Sequence, residues 1–283
     1  MDAAQWRIVP KSPHMHLSAL SLHPLKSSAA LPVEALEIEP RGPRFDRRWL
    51  VVDADGRFVT ARAVAELVLV RAEPLGAGLR LSAPGMASLD VVPPPVDAPR
   101  LPVTVWKDTV DAPRADPAAD AWLSAFLQRE VRLVHMDDAA RRAVDPAYGH
   151  EGDEVSFADG YPLLAISQAA LDGLNARLVD AGCAPVTMAH FRPNLVIDGV
   201  DAHAEDGWRR VRIGGIDFDA VKPCTRCVFT TVDPVLGRRR DDGQPLDILK
   251  DYRRTPAGIT FGMNLIARGT GTLRVGDAVT LRD

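Results

Sequence analysis

The stretch Lys222–Pro234, KPCTRCVFTTVDP, sets Cys224 and Cys227 three residues apart in a chain of 283 residues with only three cysteines. A Cys-x-x-Cys pair admits half of a zinc site, a redox dithiol, two structural thiols, or one thiolate that ligates a redox metal. A structural zinc site needs four N/S ligands. The third cysteine, Cys183, stands alone, and His190 and His203 match no familiar finger spacing. A thioredoxin-like dithiol lies where a strand runs into a helix. Here VFTTVDP follows, β-branched and closed by Asp-Pro, and reads as a strand. Burial alone accounts for many free cysteines, so the structural reading stays open. So does the single-thiolate reading, because Arg226 beside Cys227 favours a thiolate and a neighbouring anionic group.

Working outward, the residues from Met15 to about Val110 read as short strands. LSALSLHPL and VEALEIEP alternate apolar and polar residues, and RWLVVDADGRFVTAR reads as a hairpin turning at Asp55-Gly56. ELVLVRAE and GLRLSAPG read as a second hairpin, LDVVPP and VTVWKDTV as two more strands. A helix is expected in ADPAADAWLSAFLQRE, with Asp116 as N-cap, Pro117 at the first position and Leu123/Leu127 on one face. A second is expected in SQAALDGLNARLVDAG, from Ser167 to a stop at Gly182, and a third, short one in PLDILKDYR. RVRIGGIDFDAVK turns at Gly214-Gly215, and FGMNLIA and TLRVGDAVTL close the chain. The pattern is a β-rich α+β protein in two parts.

Composition narrows the function. Net charge is −4, which offers no electrostatic case for nucleic acid or a membrane surface. No apolar run approaches the ~20 residues of a spanning helix, and three cysteines make no disulfide framework, so a cytoplasmic protein is expected. Residues 1–14 lack any period and are expected to be a non-native or disordered extension before Met15.

HFRPNLVIDG, AHAEDGW, IGGIDF and KPCTRCVFTTVDP occur in this order, with VGDAVTL at the end. Together they resemble the MOSC domain in its two-domain form, which includes the amidoxime-reducing component family and its bacterial relatives. HPLKSSAALPVEALEIEPRG, FDRRWLVVDADGRFVTAR and LRLSAPG resemble the β-barrel domain that precedes MOSC. The resemblance implies a small N-terminal β-barrel domain over residues 15–130 packed on a MOSC β-barrel domain with a few helices over 131–283. It implies a molybdenum–molybdopterin cofactor, with Cys227 as the metal ligand and Cys224 a small buried neighbour. The implied cofactor contacts are Lys26, Ser27, Arg47, Arg192, Asn194, Thr225 and Arg226. Four cations in an acidic chain suit a pterin phosphate, and Asn194 has donors and acceptors for a pterin edge.

The implied activity is reduction of amidoximes, hydroxylamines or N-hydroxylated bases, small molecules in every case. No ferredoxin module follows VGDAVTLRD, so a separate electron donor is expected, a ferredoxin, a flavodoxin, or a cytochrome b5-like protein with its reductase. The alternative is a non-catalytic carrier of the cofactor or of sulfur. Asp159, His190 and Asp206 are candidate proton donors. Asn264 in FGMNLIA stands where that branch more often has an aromatic residue, which leaves the substrate open.

Overall fold

The structure, a computed structural model, describes residues 14–282. The expectation for residues 1–14 therefore falls, His14 apart, outside the described residues. Among the described residues the protein is β-rich with three α-helices, as its alternating segments imply. No helix among the described residues is long and apolar enough to cross a membrane.

The larger sheet has nine strands. Along its path run Leu31–Val33, His16–Leu22, Leu195–Asp198, Leu163–Ser167, Gly258–Ala267, Ile216–Thr225, Arg210–Ile213 and Val279–Arg282. Leu163–Ser167 and Leu195–Asp198 are parallel, so the connection between them needs a crossover. Helix α2 (Gln168–Asp180) supplies it and buries Leu171, Leu174 and Leu178 against the sheet. The Val279–Arg282 end of the path then meets the start of its second strand, His16–Leu22. Val279 N–H donates to Met15 O at 2.9 Å, and Leu17 exchanges bonds with Gly276 and Asp277 at 2.8 and 2.9 Å. That contact closes the sheet on a core of Leu17, Leu20, Ile197, Phe218, Leu265 and Trp208. Trp208 is thus a core residue.

The rest of the chain forms smaller sheets. Trp49–Val52 pairs with Arg132–His135, Arg100–Val105 with Asp108–Pro113, and Arg71–Leu75 with Gly78–Ser82 and Leu89–Val91. Helix α1 (Pro117–Leu127) covers the core of the first and third with Ala119, Leu123 and Leu127, while the Arg100–Pro113 hairpin packs on Leu50, Val52 and Phe157. Its start matches expectation: the Asp116 carboxylate accepts the Ala118 N–H at 2.7 Å, with Pro117 next. Ser167 also stands at the N-cap of α2, but its hydroxyl accepts from His203 N–H at 3.3 Å instead of capping its own helix.

Four local expectations need correction. VFTTVDP, expected as a strand, is a 3-10 turn over Val228–Thr231, and only Val232–Asp233 is extended. ELVLV is a 3-10 turn, Ala65–Leu69, because Leu67 and Val68 are both buried and no alternation marks an outer face. The following strand starts only at Arg71. VTVWKDTV is a hairpin whose turn contains Trp106, with a left-handed φ of 59°. The Asp55-Gly56 turn forms, yet its returning arm makes one bridge, Val52 to Phe58. Trp49–Val52 instead takes its full register from Arg132–His135. Strands also interleave between the two halves: His16–Leu22 lies in the large sheet, while Arg132–His135 pairs with Trp49–Val52.

Candidate functional site

The strand Ile216–Thr225 runs antiparallel to Gly258–Ala267, and their register slips twice, between Ala220 and Lys222 and between Pro223 and Thr225. Bulges re-aim the residues that follow them. The second slip is absorbed opposite, at Gly262, whose φ is +87°. A Cβ at Gly262 would lie 2.6 Å from Ile166 Cγ1 and 2.8 Å from Ala165 O, so this close approach requires glycine. The bulged strand delivers Thr225, Arg226 and Cys227 into a cleft between the closed sheet and the N-terminal half, anchored by Arg226 N–H on Ile259 O at 2.7 Å.

All eight residues expected at the site line this cleft: Lys26, Ser27, Arg47, Arg192, Asn194, Thr225, Arg226 and Cys227. Cys227 is exposed and Cys224 half-buried. Cys224 packs beside the α2 core and accepts a bond from Arg226 Nη1 at 2.9 Å. Among the described residues no group of three or more His, Cys, Asp and Glu gathers, so a zinc site has no ligand set.

The cations are held by backbone as much as by acids. Arg47 ion-pairs with buried Asp46 and donates to Asn194 Oδ1 at 2.9 Å and to Arg192 O at 3.1 Å. Arg192, itself left-handed at φ 58°, donates to Ser28 O and lies over the Phe229 ring. Arg226 donates to Phe191 O at 2.7 Å. Two donors remain buried and unmatched, Arg192 Nη2 and Arg226 Nε. Burial, then the Arg47 charge, pushes Arg192 down to about 9. A cluster of desolvated cations with orphaned N–H groups is a site that an anion completes.

Asn194 differs from expectation in its bonding. Its Oδ1 also accepts Leu164 N–H at 3.3 Å, and its Nδ2 donates to Ser21 O at 3.2 Å. Its amide is thus committed to the protein and positions Arg47.

Lys26 is buried, with Nζ donating to Phe157 O at 2.7 Å and to Asp159 Oδ1 at 2.5 Å. Burial pushes it down to about 8, against the pull of Asp159. Burial pushes the Asp159 carboxyl up, but Lys26 and Arg62 outweigh it and hold that carboxyl well below the usual carboxylate range. Of the three candidate proton donors only Asp159 lines the cleft. Asp206 pairs with Arg253 at 2.5 Å, and His190 Nδ1 accepts from Thr187 N–H at 3.2 Å.

Two arginines escaped the sequence reading. Arg142 is buried and ties down the Asp159 segment, donating to Ser156 O at 3.0 Å and Asp159 O at 2.9 Å. Arg62 places Nε 3.2 Å from Cys227 Sγ and Nη2 3.1 Å from Asp159 Oδ2, with its plane over the Trp106 ring. Arg62 ends the FDRRWLVVDADGRFVTAR stretch, which was the only signal pointing to it.

Comparison with known proteins agrees with this architecture. Residues 14–130 match the MOSC N-terminal beta barrel domain, and residues 152–280 match the MOSC domain. Mitochondrial amidoxime-reducing component 1 of Mus musculus is 35% identical over 282 residues, covering 94% of this chain and 82% of the mouse protein. The Homo sapiens component 1 is 32% identical over 292 residues, with 94% and 82% covered. Human component 2 is 33% identical over 281 residues, with 93% and 82% covered. Two domain matches in series and relatives aligned along nearly the whole chain lead to one assignment: this protein belongs to the two-domain MOSC family that contains the mitochondrial amidoxime-reducing components.

Proposed function

We propose that the protein is a molybdenum-cofactor-dependent reductase of N-hydroxylated compounds, with Cys227 as the protein ligand to the metal. One observation carries the reading: an exposed cysteine and buried, incompletely satisfied arginines line the same cleft. A thiolate is a soft ligand for a redox metal. Arg47, Arg192 and Arg226 present fixed donors to an anionic tail, and family membership supports the same ligand. The residues present therefore fit a molybdenum–molybdopterin group.

When bound, that cofactor supplies the two-electron chemistry by which an N–OH compound, two protons and two electrons yield the N–H compound and water. The chain orients it. Lys26, Ser27, Thr225 and the arginines hold the group, and Asn194 holds Arg47. Asp159, 62% exposed, stays ionised and fixes the buried Lys26 ammonium and the Arg62 guanidinium beside the cleft. Asn264 lines the same cleft, with Nδ2 donating to Lys222 O at 3.0 Å. We propose a cytoplasmic enzyme, with a ferredoxin, a flavodoxin, or a cytochrome b5-like protein and its reductase as the separate electron donor.

The test is metal analysis of protein purified from a host that makes the cofactor, alongside amidoxime turnover with an artificial donor. Near-stoichiometric molybdenum, kept in Cys224→Ala and lost in Cys227→Ala, is the expected result. Loading without turnover would favour the cofactor carrier. No loading in a host that fills a control molybdoenzyme overturns the reading.

A further inference from the structure

The thiol that the cleft presents is not served by its own domain alone. Cys227 follows a strand of the closed sheet, but the donor aimed at its sulfur comes from the N-terminal half, at the end of the Trp49–Arg62 segment. Arg62 is anchored on three sides. Its Nε reaches Sγ, its Nη2 reaches Asp159, and its guanidinium carbon lies 4.3 Å from the centre of the Trp106 ring. Its backbone is engaged as well, because Arg239, in the short strand after the Cys227 segment, donates to Arg62 O. The Trp106 ring is braced by Phe58 at 5.2 Å in an edge arrangement. A guanidinium held over an indole and bonded to a carboxylate loses little further freedom on donating another bond.

We propose that Arg62, oriented by Trp106 and Asp159, is the positioning residue through which the N-terminal domain tunes the Cys227 thiolate. Rested on the molybdenum reading, it follows that Arg62 sets the electron density that Cys227 gives to the metal. A hydrogen bond to a ligating sulfur draws charge away from the metal, so removing it favours the oxidised centre and lowers the reduction potential. The arrangement also assigns a reason for the two domains to travel in one chain: the first completes the ligand environment of the second.

The experiment is a redox titration of the molybdenum signal by electron paramagnetic resonance in loaded wild type, Arg62→Ala, Trp106→Ala and Trp106→Phe, with molybdenum content measured in each. Arg62→Ala is expected to shift the midpoint to more negative potential. Trp106→Ala should shift it less and in the same direction, and Trp106→Phe should restore the wild-type value. An unchanged midpoint in fully loaded Arg62→Ala overturns the proposal while leaving the cofactor reading intact. Absence of molybdenum in the wild type refutes the cofactor reading instead. The unloaded protein gives an independent readout: the Arg62 Nε–H resonance, identified by its loss in Arg62→Ala, should move in Cys227→Ala. A resonance indifferent to Cys227 sinks the proposal whatever the loading.

Discussion

Lys26 Nζ lies 2.5 Å from Asp159 Oδ1, a pairing of an ammonium only 6% exposed with a carboxylate 62% exposed. The partner faces water and is screened, so it offsets only part of the desolvation of the lysine. Burial consequently wins and the Lys26 ammonium titrates at about 8 instead of 10.5.

Stability should follow that shift. Below about pH 8 the folded protein holds a desolvated ammonium, and between about 8 and 10.5 only the unfolded chain keeps the proton. Unfolding then takes up a proton, so wild-type stability rises with pH across this window and levels off above it. The displacement corresponds to about 3 kcal/mol. Urea midpoints of unloaded wild type and Lys26→Met from pH 7 to about 11 should show the difference growing in favour of wild type by roughly that amount. A difference flat with pH would mean that Lys26 titrates as an ordinary lysine.

Oxyanions should stabilise the unloaded protein. Arg192 Nη2 and Arg226 Nε are buried without partners, and Arg47 and Arg192 repel each other across the cleft. An anion there relieves both costs and stabilises the fold by about 1.4 kcal/mol at ten times its dissociation constant, so the melting temperature rises with its concentration. Differential scanning fluorimetry with increasing inorganic phosphate at constant ionic strength should show this in wild type and lose it in Arg192→Met. An equal rise in the variant would assign the effect to bulk salt.

Gly262 and Gly85 offer a paired test of the bulge. Both have positive φ, +87° and +75°, but only Gly262 would press a Cβ onto Ile166 and the Ala165 carbonyl, whereas Gly85 meets nothing within 4 Å. Gly85→Ala should cost about 1 kcal/mol for the backbone alone. Gly262→Ala should cost at least about 3 kcal/mol, since packed backbone must move. Chemical denaturation checks both, and equal losses would remove the bulge from the argument.

The sequence made much of this legible because the elements that build the cleft are local. Asp116-Pro117 announces α1, and Gly214-Gly215 announces a hairpin whose φ values are 52° and 93°. The eight expected contacts came from resemblance and lie together. What stayed hidden depends on distant geometry. Arg62 reaches Cys227 across 165 residues, and no periodicity encodes such a meeting. Asn194 has the right chemistry for a ligand, but its bonds go to Ser21, Leu164 and Arg47, neighbours that only the folded chain supplies. The Leu67-Val68 pair misled because an apolar run without alternation suits a buried turn as well as a strand.

The strand His16–Leu22 pairs with Leu195–Asp198, and its neighbourhood meets Gly276–Val279. In the growing chain, Leu31–Val33 soon covers Leu20–Leu22 on one edge, but the start of that edge waits for Gly276–Asp277 and the other edge for Leu195–Asp198. Loop closure over such separations is slow, and an unpaired edge invites association with other nascent chains. Chaperone demand during synthesis should therefore concentrate on this strand, and moving it by circular permutation to the C-terminal side of Val279 should shorten the wait.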